Sequence, residues 1–179
     1  SLHEISYRAC FKPQLPRHFI DRLTRPGATV YDPFAGRGTT PLEAALAGRV
    51  PYACDINPLS RMLLEPRLSP PQAEAVRERL AAIDLGCRVR APRDLEVFFH
   101  ADTLGEIAAL RHYLIERDRA GTLDALDRWI RMVTVNRLTG HSPGFLSVYT
   151  LPPNQATTFP NQRKINEARG QVPPRRDLL

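Results

Sequence analysis

Long apolar runs, cysteine patterns and leader-like segments are all lacking in this 179-residue sequence. No apolar run approaches the roughly 20 residues that a membrane-spanning helix needs. The three cysteines, Cys10, Cys54 and Cys87, match neither a disulfide framework nor zinc-ligand spacing. No charged segment followed by an apolar one resembles a secretory leader. These absences exclude membrane and secreted classes, and we expect a cytoplasmic protein with reduced thiols.

Lysine is also scarce, although the chain is basic, with 25 Lys and Arg, 19 Asp and Glu, and a net charge of +6. Only Lys12 and Lys164 are lysines, so nearly all cations are arginines. The planar guanidinium suits phosphates and base edges. A GC-rich genome would enrich arginine codons equally well, so the composition leaves polyanion binding and codon usage both open.

Residues 28–55 have the pattern of one βαβ crossover. A β-prone run over 28–32 leads into a glycine turn at 33–38. An alanine- and leucine-rich helix follows over 39–47 and ends at Gly48, and a second β-prone run covers 50–55. Upstream, residues 16–23 predict a short helix with Phe19, Ile20 and Leu23 on its apolar face.

The remainder of the chain is predicted to be mostly helical. Periodic apolar residues indicate helices over 69–85, 104–114 and 122–138, with Thr103 and Glu106 at capping-box spacing. Short strands are expected at 96–99 and 145–150. We expect a basic, loop-rich tail from residue 139, in which amide and basic side chains either contact nucleic acid or form a solvated loop.

The glycine turn has the features of a ligand site. Backbone N–H groups at the start of a helix are unpaired, and glycines allow a ligand to approach the backbone. Asp55, at the end of the second predicted strand, could accept hydrogen bonds from ribose hydroxyls. Pro41 stands where a dinucleotide fingerprint needs its third glycine, and no Gly-Lys-Ser/Thr follows the turn. Neither a nicotinamide fingerprint nor a phosphate loop fits.

The longer string from Asp32 to Thr40 resembles motif I of the amino-group DNA methyltransferases, which use S-adenosylmethionine to methylate adenine N6 or cytosine N4. Asp55-Ile56-Asn57-Pro58 is similar to the family's ribose-binding strand end, and Phe11-Lys12-Pro13 resembles motif X. The resemblance implies an α/β, Rossmann-like S-adenosylmethionine methyltransferase fold with an incomplete sheet and a helical segment after the second strand. It implies cofactor-binding roles for Lys12, Pro13, Asp32, Pro33, Phe34, Gly36, Gly38, Thr39, Asp55, Ile56 and Asn57.

Several of these residues also have structural interpretations. Gly36 and Gly38 could form a plain strand-to-helix turn, Asp55 could cap a helix, Phe34 could lie in the core, and Lys12 could be a solvated charge. Cys54 is interpreted as a buried apolar residue rather than a nucleophile.

Two features outside the turn are interpreted structurally as well. Asp102 could be the third strand-end acid of the family, but the capping-box spacing favours a structural role. The five histidines share no ligand spacing and predict no metal site. They are His3, His18, His100, His112 and His141.

The family's catalytic motif is missing from the sequence. These enzymes flip the target base and hold its amine with a Ser, Asp or Asn followed by Pro-Pro and an aromatic residue. Ser69-Pro70-Pro71-Gln72 lacks the aromatic residue, and Leu151-Pro152-Pro153-Asn154 lacks both ends. The catalytic residues therefore stay unassigned. We expect the motif in a missing C-terminal part or in a partner chain.

The resemblance thus implies the N-terminal, cofactor-binding portion of a DNA methyltransferase with DNA as its substrate. It predicts a cofactor-binding region over 1–60, a helical continuation over 61–138, and a tail over 139–179. An RNA amino-group methyltransferase and a non-catalytic DNA-binding or assembly module remain alternatives. The sequence indicates no oligomeric state.

Overall fold

A computed structural model describes Ile5, Tyr7 and residues 10–87, 89–140, 144–150 and 157–178. The chain divides into two compact units, Ser1–Pro70 and Pro71–Leu179. The regions predicted from the sequence, 1–60, 61–138 and 139–179, were defined by the positions of motifs. A division into compact units does not test such boundaries, so these regions stay predictions. Within the described residues no helix is both long and apolar enough to span a bilayer.

The first unit is built around two parallel strands joined by a helix. Thr29 pairs with Val50 and Asp32 with Ala53 at the two ends of the ladder. The predicted βαβ unit and the α/β class are therefore confirmed. The elements of this unit are α1 (Gln14–Leu23), β1 (Thr29–Asp32), α2 (Thr39–Leu46), β2 (Val50–Ala53) and α3 (Pro58–Leu68).

Helix α2 covers one face of the strand pair. Leu42 and Ala44 are almost fully buried in this layer. At the two ends of β2, the backbone N–H groups of Val50 and Cys54 donate to carbonyl oxygens at the two ends of β1, at 2.9 Å each. Alternate N–H groups of a strand face opposite sides, so Pro51 removes no hydrogen bond from this ladder.

Helix α1 agrees with the prediction in its position but not in its buried face. Ile20 and Pro16 are buried, whereas Phe19 and Leu23 are 53% and 77% exposed. Residues 16 and 20 are one turn apart, so the contact surface is a narrow stripe.

Helix α3 agrees with the helical segment that the resemblance implies after the second strand, although the apolar pattern predicted no separate helix over 58–68. Asn57 caps its start by accepting a hydrogen bond from the Leu59 N–H, and Pro58 occupies the first turn. Pro66 lies inside the helix, and proline there normally argues against a helix. Because Pro66 falls in the last turn, it removes little of the hydrogen-bond ladder.

The second unit consists of helices in its described part. Its elements are α4 (Ala73–Ala81), one 3-10 helix (Arg93–Val97), α5 (Ala101–Arg119), α6 (Ala125–Arg137) and α7 (Phe159–Arg169). One apolar cluster joins Ile83 to Leu110, Leu114, Leu123 and Ile130. A second cluster is formed by Phe98, Phe99 and Leu104.

Both strands predicted in this unit are wrong. Residues 96–99 lie at the end of the 3-10 helix, where Phe98 and Phe99 are buried against Leu104. Residues 145–150 form only an isolated bridge between Gly140 and Tyr149. Short apolar runs do not distinguish a strand from a buried turn, because both bury consecutive side chains.

The predicted helix boundaries also need correction. Helix α4 covers only the middle of the predicted 69–85 span, and Pro70 and Pro71 precede it. Helix α5 begins at Ala101 with His100 as its N-cap. The predicted capping box at Thr103 is wrong, because the Thr103 hydroxyl instead bonds to the Arg176 backbone at 2.8 Å.

The expected loop-rich tail contains helix α7, which was not predicted. Thr158 caps its start by accepting from the Asn161 N–H, and Gly170 ends it in a left-handed conformation. Its buried Gln162 donates to the Tyr149 carbonyl oxygen at 2.9 Å. The sequence of this helix has no periodic apolar residues that would predict it, because amide hydrogen bonds rather than an apolar stripe hold it in place.

A buried carboxylate, Asp127, joins three helices of the second unit. It is fully buried and accepts hydrogen bonds from Arg79 of α4 at 2.6 Å and from Arg117 of α5 at 2.7 Å. Asp124 completes a capping box with Asp127 at the start of α6. Burial opposes ionisation of Asp124, but the hydrogen bonds from Arg79 and the Asp127 N–H, together with the charges of Arg79 and Arg117, outweigh it and lower the pKa of that carboxyl to about 2. The charges are thus paired within one network.

We expect Asp127→Ala to lower the free energy of unfolding of the second unit by about 3 kcal/mol, because Arg79 and Arg117 lose a shared buried anion. Trp129 is the single tryptophan of the chain and lies in α6, so its fluorescence reports on this unit. The measurement is urea unfolding followed by that fluorescence.

The matched control is Glu74→Ala, which removes an exposed ion pair with Arg77 on α4. This change should shift the free energy of unfolding by less than about 0.5 kcal/mol. Equal urea midpoints for the two variants would contradict the role of Asp127.

Candidate functional site

The glycine turn lies where the two parallel strands end side by side. The turn leaves β1 after Asp32, whose carboxylate accepts a hydrogen bond from the Phe34 N–H at 3.0 Å. The Ala35 N–H donates to the Cys54 carbonyl oxygen, also at 3.0 Å, and so continues the pairing past the ends of both strands. This is the edge of a parallel α/β sheet at which ligands bind.

Asp55 ties the turn to the segment that follows β2. One carboxylate oxygen accepts from the Gly36 N–H at 2.7 Å, and the other accepts from the Asn57 N–H at 2.8 Å. These backbone hydrogen bonds, from Asn57 first and Gly36 second, hold the pKa of the Asp55 carboxyl below its usual range. Asp55 does not cap a helix, because Asn57 caps α3. Each carboxylate oxygen can accept a further hydrogen bond.

Both glycines of the turn are required by the local geometry. Gly36 has φ +53°, and a Cβ there would lie 3.3 Å from the ring of Tyr7. Gly38 has φ +83°, and a Cβ there would lie 2.5 Å from the side chain of Leu64 on α3. Gly38 therefore allows close packing of the turn on α3, which is a structural role that operates without any ligand.

Thr39 turns its side chain into the protein. It is 3% exposed, and its hydroxyl oxygen accepts a hydrogen bond from Arg37 Nε at 3.1 Å. The resemblance gives Thr39 a cofactor-binding role, and that role stays a prediction. In the structure the hydroxyl supports the Arg37 side chain.

Two arginines that the sequence analysis missed lie at the turn. The Arg37 guanidinium donates to the carbonyl oxygens of Ile5 and Phe11, at 2.8 and 3.3 Å. Arg67, which is 3% exposed on α3, donates to the Arg37 carbonyl oxygen. Burial, together with the positive charge of Arg37, lowers the pKa of Arg67 to about 10. No spacing rule marks either residue, because their partners are backbone carbonyls.

Exposed side chains surround the same turn. Phe34 is 87% exposed and Ile56 is fully exposed, so the core alternative for Phe34 is wrong. Cys54 is exposed as well, which corrects the prediction that it is buried. Pro33 and Lys12 are also exposed.

A pocket of about 580 Å³ adjoins these residues. Ala35, Asp55, Ile56 and Asn57 line it from the strand ends, and Leu64 lines it from α3. Of the predicted cofactor-binding residues, those after β2 line this pocket, whereas those of the glycine turn lie beside it through the hydrogen bond between the Gly36 N–H and Asp55. Pro13 lies at the start of α1, and its cofactor role, like that of Lys12, stays a prediction.

The other residues considered from the sequence lie away from this turn or outside the described residues. Asp102 lies in the first turn of α5, in the second unit. Among the described residues no group of three or more His, Cys, Asp or Glu could hold a metal. Ser69 follows α3, and its Pro-Pro pair leads into α4. Among the residues named from the sequence, those outside the described part are His3, His141, Leu151, Pro152, Pro153 and Asn154.

Comparisons with known proteins match the part of the chain that contains this turn. A family model described as DNA methylase matches residues 2–60, which contain every predicted cofactor-binding residue. The Type II methyltransferase M.MvaI of Kocuria varians is 28% identical over 97 residues, covering 52% of this chain and 20% of that enzyme. The chain thus spans about a fifth of the length of this curated relative. No solved structure matches the chain.

We expect Gly38→Ala to destabilise the first unit more than Gly48→Ala does, by about 1–3 kcal/mol. Both glycines have positive φ, at +83° and +71°, but only Gly38 has a neighbour within 4 Å of the added Cβ. Amide hydrogen exchange over α2 measures the difference. If both variants show the same exchange rates, the contact with Leu64 does not require glycine.

Proposed function

Since this chain belongs, through its residues 2–60, to the N6/N4 DNA methylase family, we propose that it binds S-adenosylmethionine as the cofactor-binding portion of a DNA methyltransferase. The target would be the exocyclic amine of adenine or cytosine. The observation that carries the proposal is the Asp55 carboxylate, which lies beside the Gly36 turn at the ends of two parallel strands.

The chemistry of the turn fits this cofactor. The ribose of S-adenosylmethionine offers two hydroxyl donors, and the Asp55 carboxylate stays ionised and retains acceptor capacity. The adenine ring needs an apolar surface, which the exposed Ile56 and Phe34 side chains offer. Lys12 carries an exposed positive charge in the segment before α1 that could pair with the cofactor's carboxylate.

The turn itself holds its shape without a ligand. Gly36 and Gly38 have positive φ and pack against Tyr7 and Leu64. Asp32 shapes the turn by accepting the Phe34 N–H. The proposed binding residues are Lys12, Pro13, Asp32, Pro33, Phe34, Gly36, Gly38, Thr39, Asp55, Ile56 and Asn57.

When bound, S-adenosylmethionine supplies an electrophilic methyl group on a sulfonium centre. The residues of this chain bind the ligand and fix its position relative to the sheet, and such positioning contributes much of the rate in group transfer. The groups that hold the target amine would come from a segment with the family's Pro-Pro motif, since Ser69-Pro70-Pro71-Gln72 lacks the aromatic residue. The Rossmann-like arrangement, with further strands beside β1 and β2, is part of this proposal.

We expect calorimetry to show that the chain binds S-adenosylmethionine and that Asp55→Asn weakens binding roughly tenfold or more. Aspartate has two acceptor oxygens at its end, whereas asparagine has one acceptor oxygen and one NH2 donor. The variant therefore loses one of the two acceptor atoms that serve the backbone N–H groups and the ribose.

Asp21→Asn is the matched control, because it removes an exposed carboxylate on α1 that pairs with Arg17. Its affinity should equal that of the wild-type chain. A wild-type chain that binds no S-adenosylmethionine would refute the proposal, and so would an Asp55→Asn variant with unchanged affinity.

A further inference from the structure

The N-terminal segment is held against the glycine turn by one side chain of that turn. Four residues of this segment, Ile5, Tyr7, Cys10 and Phe11, are described. Arg37 donates from Nη1 to the Ile5 carbonyl oxygen at 2.8 Å and from Nη2 to the Phe11 carbonyl oxygen at 3.3 Å. One guanidinium therefore bonds to the segment at two points, six residues apart in sequence.

All three nitrogens of this guanidinium have partners within the protein. Nε donates to the Thr39 hydroxyl oxygen at 3.1 Å, while Nη1 and Nη2 bond to the segment. Such a fixed fork matches a set of acceptors at defined positions. Because each nitrogen of the Arg37 guanidinium bonds to another part of the protein, Arg37 affects a ligand indirectly, through the position of the N-terminal segment.

The main chain of Arg37 is fixed as well. Arg67 reaches the Arg37 carbonyl oxygen from α3, and its Nε donates to the Leu63 carbonyl oxygen at 2.7 Å. Because Arg67 is almost fully buried, its side chain has little freedom to move. Helix α3 therefore fixes the main chain of the turn through Arg67, and the turn fixes the N-terminal segment through the Arg37 side chain.

Tyr7 of the segment contacts both motif segments of the candidate site. Its ring lies against Gly36, where an added Cβ would be 3.3 Å away. Its hydroxyl oxygen accepts a hydrogen bond from Asn57 Nδ2 at 3.2 Å. The segment fixed by Arg37 thus crosses the turn and reaches the residues beyond β2.

From these contacts we infer that Arg37 is a positioning residue for the ligand of this site. Its guanidinium fixes the N-terminal segment across the turn, and Tyr7 of that segment contacts Gly36 and Asn57, two of the proposed binding residues. This inference rests on the proposed function for the identity of the ligand, S-adenosylmethionine. Removing the guanidinium frees the segment, so binding must then order it and the affinity falls.

The test compares Arg37→Met with the wild-type chain in two measurements. Amide hydrogen exchange in peptides covering residues 5–11 should be faster by roughly tenfold or more. The dissociation constant for S-adenosylmethionine, measured by calorimetry well below the melting temperature, should rise roughly tenfold or more. Circular dichroism establishes that the variant is folded.

Two further variants make the comparison specific. Arg37→Lys keeps the charge but replaces three spaced nitrogens by a single ammonium and so retains only part of the hydrogen-bond set, and both effects should be smaller than for methionine. If Arg37→Met does not fold, Arg37→Lys alone is compared with the wild-type chain. Arg25→Met removes an exposed arginine outside the site and should change neither measurement.

Unchanged exchange over residues 5–11 in a folded Arg37→Met chain would overturn the inference. Faster exchange with wild-type affinity would overturn it too, because the segment would then be irrelevant to binding. If the wild-type chain binds no S-adenosylmethionine, the proposed function fails. The exchange comparison then still decides whether Arg37 holds the segment.

Discussion

The structure of the first unit depends on one carboxylate. Asp55 accepts the Gly36 N–H from the turn after β1 and the Asn57 N–H from the turn after β2. Its two oxygens therefore fix the relative position of both strand ends, and the start of α3 follows from Asn57. Because this anion is stabilised by the backbone, it needs no cationic side chain beside it. The carboxylate can therefore face a ligand while it serves the fold.

How far the sequence predicts this fold depends on whether the decisive contacts are local. The βαβ unit was predictable, because β-prone runs, a glycine turn and a helix stop signal lie within residues 28–55. Helix α7 was not, because its Gln162 is held by the Tyr149 carbonyl oxygen, a partner distant in the sequence. The same limit applies to the site. Asp55 follows from its place at a strand end, whereas Arg37 and Arg67 bond to backbone carbonyls that no motif encodes.

The residues of the turn illustrate why a family motif does not separate binding from folding. Gly38 packs against Leu64, and the Thr39 hydroxyl oxygen accepts a hydrogen bond from Arg37. These contacts are sufficient to explain both residues without a ligand. Phe34 and Ile56 have none, since each exposes a large apolar side chain at the strand ends. The motif therefore combines residues that build the turn with residues whose side chains make no contribution to the buried core.

Several departures from ordinary sequence rules lie at this turn. Two residues have positive φ, an aromatic side chain is exposed, and a buried arginine on α3 contacts the turn's backbone. The second unit buries charge too, but there Asp127 is paired with Arg79 and Arg117, and the network joins three helices. Local rules fail where function competes with stability. The charges of the second unit are therefore paired within its own fold, whereas the turn keeps Phe34 and Ile56 exposed beside a carboxylate whose protein partners are backbone N–H groups.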